Sequence, residues 1–154
     1  MSSRIPAKLR NAVMAAANNQ CAFCRSQESV MGVTFEIDHI IPLAEGGKTS
    51  LANLCLCCPS CNRHKAAQSS TKQHGAARSS AIDPSTNRKT SLFHPLRERW
   101  SEHFAWGDSG VRIVGLTPVG RATIRALKVN RPQMLTLRKY WLATGTHPLR
   151  LKNK

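Results

Sequence analysis

Two cysteine knuckles constrain this chain more than any other feature of its sequence. CAFC runs from Cys21 to Cys24 and CPSC from Cys58 to Cys61, with 33 residues between them. Two residues between a pair of cysteines make a turn tight enough for both sulfurs to converge on one side. Two such pairs supply the four soft ligands of a closed, tetrahedral zinc site, a staple with no open position for chemistry. A staple matters in a chain of 154 residues with only 5% aromatic residues, where core material is thin. Cys55 with Cys58 forms a competing C-x2-C pair that the sequence leaves open. The preferred ligands are Cys21, Cys24, Cys58 and Cys61, because Cys58 and Cys61 fall where a strand turns into a helix. Cys55 and Cys57 alternate within that strand and read as small buried hydrophobes. Six cysteines could instead pair as disulfides, but MSSRIPAKLR at the N-terminus lacks the apolar core of a signal peptide. The expectation is therefore a metal site in a reducing cytoplasm.

Periodicity places the remaining elements around these knuckles. Residues 5–17 read as an opening helix, with Ser3 able to cap it, Pro6 suited to a first helical position, and Leu9, Val13 and Ala16 recurring on one face. VTFEIDHIIP, Val33 to Pro42, is β-branched and alternating, so that Phe35, Ile37, His39 and Ile41 share one face. LAEGGKTS follows as a loop turning at Gly46-Gly47, then NLCLC, Asn53 to Cys57, as a second strand, and PSCNRHKAAQ from Pro59 as a helix. Strand, long loop, strand and helix make a ββα unit, and the fold class is α+β. From about Ala66 to Lys89 the composition turns to Ser, Thr, Gln, Arg and Gly without periodicity, the mark of a polar connector. Beyond it, HFAW and VRIVGLT flank GDSG as a hairpin. Thr117-Pro118 caps a helix through VGRATIRALKVN, and Arg131-Pro132 opens a last helix that stops at Gly145. The expected division is a core at 1–66, a linker at 67–91 and a basic hairpin-plus-helix extension at 92–154.

The net charge of +15 calls for a polyanionic partner. An anionic membrane is disfavoured, since no apolar run approaches the roughly 20 residues that span a bilayer. Nucleic acid is the expected partner. From Ser109 to Lys154 there are ten Lys and Arg and no Asp or Glu. Arg121, Arg125 and Lys128 recur at i, i+4 and i+7 on the expected helix as one basic stripe. Like charges at that spacing repel, and a phosphate backbone would offset the repulsion through counterion release. An ordinary solvated face is the simpler alternative. Val119, Ile124, Leu127, Met134, Leu137 and Trp141 read as packing residues.

The material between the knuckles carries a resemblance. EIDHIIP at Glu36 to Pro42, then Gly46-Gly47, then Asn53-Leu54, then CPSC followed by NRHK at Asn62 to Lys65, all in this order, resembles the HNH endonuclease family of the ββα-metal (His-Me finger) fold. The similarity runs from about Cys21 to Lys65. It implies a small nuclease core stapled by a four-cysteine zinc site and a metal-dependent hydrolysis of DNA phosphodiester bonds that leaves a 5′-phosphate and a 3′-hydroxyl. By this resemblance His39 is the general base, since an imidazole can take a proton from water near neutral pH. Asp38 and Asn62 hold one divalent cation, Mg²⁺ or Mn²⁺ with Ni²⁺ or Co²⁺ as alternatives, and Asn53 braces the loop that orients His39. Many members place a histidine where this chain has Asn62, which makes it an H-N-N variant. His64 and Lys65 are expected phosphate contacts. Glu36 reads as a solvated or helix-facing charge, and His74, His94, His103 and His147 receive no role. No small-molecule cofactor is expected, and oligomeric state and target sequence are not readable. A non-catalytic zinc-finger nucleic-acid-binding protein is the rival from another class, and Asp38, His39 and Asn62 argue against it because binding alone needs none of them.

Overall fold

The computed structural model describes residues 4–69 and 80–149, and within them helices alternate with three two-stranded antiparallel sheets. The chain is α+β. Helix α1, Ala7–Ala16, starts after Pro6, whose ψ of 142° is not helical, so Pro6 precedes the first turn instead of filling it. Ser3 lies outside the described residues. Val13 is buried, with Leu9 and Ala17 packed beside it, while Ala16 faces solvent.

After the first knuckle and the short helix α2, Glu28–Met31, strand β1, Glu36–His39, pairs antiparallel with β2, Leu54–Cys57. Asp38 lies opposite Cys55 and His39 opposite Leu54. β1 is shorter than the Val33–Pro42 expected, and the buried residue beyond it is Ile40, not Ile41. Two hydrogen bonds turn the chain there: Ile40 N–H donates to the Asn53 carbonyl at 2.9 Å and Ile41 N–H to Asn53 Oδ1 at 2.8 Å. β2 is buried at all four positions, with α1 packed on it. Helix α3, Pro59–Ser69, opens on a proline, which lacks the amide hydrogen that a first turn leaves unpaired anyway. α3 packs on β1 and completes the ββα unit.

Part of the expected polar connector is ordered structure. Strands β3, Ser80–Ile82, and β4, Lys89–Ser91, form a hairpin. Its turn is built by the fully buried Asp83, whose carboxylate accepts from Ser85 N–H at 3.1 Å and Thr86 Oγ1 at 2.8 Å, while Asn87 adopts a positive φ of 56°. Polar composition hid this hairpin, because its strands are short and its key buried residue is charged.

Helix α4, Trp100–His103, leads into the hairpin of β5, Phe104–Gly107, and β6, Arg112–Gly115, with Phe104 opposite Gly115. Helix α5, Pro118–Leu127, is capped as expected: Thr117 Oγ1 accepts from Gly120 N–H at 3.1 Å. Helix α6, Pro132–Ala143, follows. Leu127, Met134 and Trp141 are buried, whereas Leu137, expected to pack, is 37% exposed. Phe93, Phe104, Ile113, Leu127 and Val129 join the knuckle cysteines, Phe35, Leu54 and Leu56 in one buried cluster. No described helix is long and apolar enough to cross a membrane.

Candidate metal centre and active site

The two knuckles converge. The sulfurs of Cys21, Cys24, Cys58 and Cys61 all lie within 4.8 Å of one another, and all four residues are buried. Cys24 and Cys58 sulfurs are 3.8 Å apart. Tetrahedral thiolate ligation with Zn–S near about 2.3 Å calls for S···S edges of roughly 3.8 Å, so the donor set and its spacing both fit a structural metal such as zinc. The knuckle backbones are closed locally: Arg25 N–H donates to Cys21 O at 3.0 Å, Cys21 N–H to Ser26 O at 2.8 Å, and Cys61 N–H to Cys58 Sγ at 3.4 Å. The competing pair is resolved in favour of Cys58 with Cys61. Cys55 and Cys57 are buried in β2, and burial pushes the Cys55 thiol up to about 12. The Cys57 thiol is also raised, by hydrogen bonding to Cys21 and by burial.

The DH pair stands at the end of β1. Glu36 and Asp38 alternate onto one side of that strand, and Asn62 and Lys65, one turn apart on α3, face them. Asn62 Nδ2 donates to Glu36 Oε2, and Lys65 Nζ donates to Asp38 Oδ2 and, at 2.9 Å, to the His39 carbonyl. Glu36 is thus a helix-facing charge, and the structure brings Asp38 and Asn62 to one strand–helix face with a partner for each. His39 points elsewhere: its Nε2 lies 2.9 Å from Thr49 Oγ1 in the loop between the strands.

Asn53 is buried and ties that loop down. Besides its bond from Ile41 N–H, its Nδ2 donates to Ile41 O at 2.9 Å and Lys48 O at 3.0 Å. The loop passes so close that a Cβ on Gly47 would stand 1.8 Å from Ile41 O and 2.8 Å from Asn53 Nδ2, so only glycine fits. The Gly46-Gly47 pair therefore serves two ends, since Gly46 supplies a positive φ of 87°.

Two of the expected phosphate contacts are committed elsewhere. Lys65 is buried, held by Asp38 and the His39 carbonyl, because its helical position faces β1 and not solvent. Arg121 leaves the basic stripe: its Nε and Nη2 donate to Asp83 Oδ1 and Oδ2, each at 2.9 Å, which docks the β3–β4 hairpin on α5. That fork holds the Asp83 carboxyl well below the usual carboxylate range. Arg125 and Lys128 remain exposed. The half-buried His64 is lowered by partial burial and by the charges of Lys128, Arg131 and Arg63, which identifies a basic neighbourhood joining α3 to the α5–α6 link. Sequence reasoning missed Thr49, Asp83 and the hydrogen-bonding use of Glu36; only the alternation of Glu36 with Asp38 signalled any of them. Of the histidines without a role, His94 and His147 are buried, His147 Nε2 lying 2.9 Å from Gly110 O, and His74 falls outside the described residues.

Converging knuckles, the DH pair at a strand end and the braced Gly-Gly loop lie within one segment of the chain. Residues 21–68 match the family model of the HNH endonuclease. No curated protein and no solved structure matches the chain. The match points, at family level, to a nuclease domain in that segment.

Proposed function

We propose that this chain is a metal-dependent HNH endonuclease that hydrolyses DNA phosphodiester bonds to a 5′-phosphate and a 3′-hydroxyl, with His39 as general base. The observation that carries the reading is the strand–helix face on which Glu36 meets Asn62 and Asp38 meets Lys65, with His39 at the strand end beside it. Two carboxylates and an amide oxygen are hard donors that suit Mg²⁺ or Mn²⁺, and Asp38 and Asn62 would hold the ion. When bound, it would stabilise the charge that develops on the leaving 3′ oxygen.

The chain's own residues do the rest. His39 Nε2 lies 2.9 Å from Thr49 Oγ1; in the tautomer in which Nε2–H donates to that hydroxyl, the Nδ1 lone pair takes the proton of the attacking water. The water oxygen forms its bond to phosphorus as the bond to the 3′ oxygen breaks, and that oxygen leaves with a proton from solvent. Asn53 holds the loop and, through Ile40 and Ile41, the strand end on which His39 sits. Arg125, Lys128 and His64 contact phosphates away from the cut. Six unpaired thiols suit the reducing cytoplasm.

One observation favours a second reading. Lys65 neutralises Asp38, as it would in a zinc-stapled binding protein without catalysis. Incubation of the purified chain with supercoiled plasmid under Mg²⁺, Mn²⁺ or EDTA separates the two. Metal-dependent nicking that disappears in His39→Ala and persists in Thr49→Ser supports the nuclease. Plasmid that is bound but never cut in any metal supports the binding protein.

A further inference from the structure

Glu36 and Asn62 meet across the gap between β1 and α3, where Asn62 Nδ2 donates to Glu36 Oε2. The two residues are 26 positions apart in the chain, and the packing of α3 on β1 brings them together. An asparagine amide has two unlike ends, an oxygen that only accepts and a nitrogen that only donates. Half a turn about the last side-chain bond exchanges them, and the two ends are close to the same size, so shape alone does not choose between them. A carboxylate does choose. It is acceptor-only when ionised, so Asn62 Oδ1 turned toward Glu36 would set two acceptors against each other. Nδ2 in that place makes a charge-assisted bond, roughly twice as strong as a neutral one. With the nitrogen committed to Glu36, the oxygen is the end left for a cation.

That selection decides what Asn62 can hold. A hard divalent ion takes oxygen ligands and is repelled by N–H donors. The Asn62 backbone is fixed by the second knuckle, since its N–H donates to Cys58 O at 3.0 Å. The turn of the amide is what remains to be set. Lys65 does the matching work for Asp38 on the same face, where its ammonium takes Oδ2. Strand positions 36 and 38 thus each meet one residue of α3, and the ion's two expected holders each have one end engaged by a neighbour.

We propose that Glu36 is a positioning residue, whose carboxylate holds the Asn62 amide with Oδ1 and not Nδ2 offered to the divalent cation, without itself touching the ion. The inference rests on the reading of Asp38 and Asn62 as the residues that hold that ion. Glutamine at position 36 removes the selection at nearly constant shape. Its amide either accepts from Asn62 Nδ2 or donates to Asn62 Oδ1, and in the second arrangement the ligand oxygen must be freed before the ion can bind.

Mn²⁺ binding to the full chain, read from the loss of the free-ion signal in electron paramagnetic resonance, tests this independently of cleavage. All variants are compared where circular dichroism shows them folded. Glu36→Gln should weaken Mn²⁺ binding by about tenfold, the lower end of the roughly 10- to 100-fold that partners of metal ligands are worth. In Asn62→Asp both ends of the side chain are oxygen, so Glu36 has nothing to select. That chain should bind Mn²⁺, and adding Glu36→Gln to it should change the affinity by no more than about threefold, well short of such a loss. Equal weakening in both backgrounds would mean that Glu36 acts on the ion itself, and no weakening in the native background would mean that the amide needs no guide. Either result overturns the inference, as does an Asn62→Asp chain that holds no Mn²⁺ where the wild type does. A wild-type chain that binds no Mn²⁺ overturns instead the metal reading beneath it.

Discussion

Replacing Asn53 with aspartate changes one group in the brace under the strand end. In the native chain Oδ1 accepts from Ile41 N–H at 2.8 Å, and Nδ2 donates to Ile41 O at 2.9 Å and Lys48 O at 3.0 Å. Aspartate preserves the first bond and sets a carboxylate oxygen against the other two carbonyls. Two net hydrogen bonds are lost, at about 0.5–1.5 kcal/mol each, and two acceptors are left facing a third at a further cost of the same order. The residue is 8% exposed, so water cannot fully repair the site. The expected loss is about 2–4 kcal/mol, a sizeable part of the roughly 5–15 kcal/mol of a typical domain but not all of it. Urea unfolding followed by far-UV circular dichroism should move its midpoint down by about 1–2 M for a slope near 2 kcal/mol per M. Bound zinc should stay at the wild-type level, because the knuckles do not depend on Asn53. Plasmid cleavage by the folded variant should drop by at least tenfold, since His39 loses its support. A midpoint shift worth less than about 0.5 kcal/mol, the range of an unremarkable surface change, together with unchanged cleavage, would refute the brace.

Cys61→Ser should lose the zinc and unfold the core, because binding free energy at such a site is folding free energy; Cys55→Ser should retain it, as metal analysis of both would show. Removing the phosphate contacts singly, Arg125→Ala and Lys128→Ala should each flatten the slope of log affinity against log salt by about one unit. Arg121→Ala should instead lower the thermal midpoint, because its fork is spent on Asp83. Since the folded Asp83 carboxyl lies below its ordinary value of 3.8, its pairing stabilises the protein fully above that pH and is lost as pH falls through the folded value. Acid unfolding of Asp83→Asn should therefore show a shallower pH dependence below about pH 4 than the wild type, and coincident curves would remove Asp83 from the acid response.

What could be read from the sequence is what neighbours in the chain decide. Cysteine pairs two residues apart form knuckles, and Thr117 before Pro118 caps a helix, whatever the rest of the chain does. Those features survive because their geometry needs no distant partner. The choice between Cys55 and Cys61 as ligand also followed from local position, at the junction of β2 and α3. Tertiary structure alone decided which charges are spent. Arg121 and Lys128 look alike on a helical repeat, yet only Arg121 meets Asp83, 38 residues away. Lys65 and His64 are adjacent, yet Lys65 turns inward to Asp38 and is buried while His64 is half-buried. Arg138 reads as one more cation of a basic tail and is fully buried. A side chain's partner across such distances is set by how elements pack, and no pattern within one element carries that information.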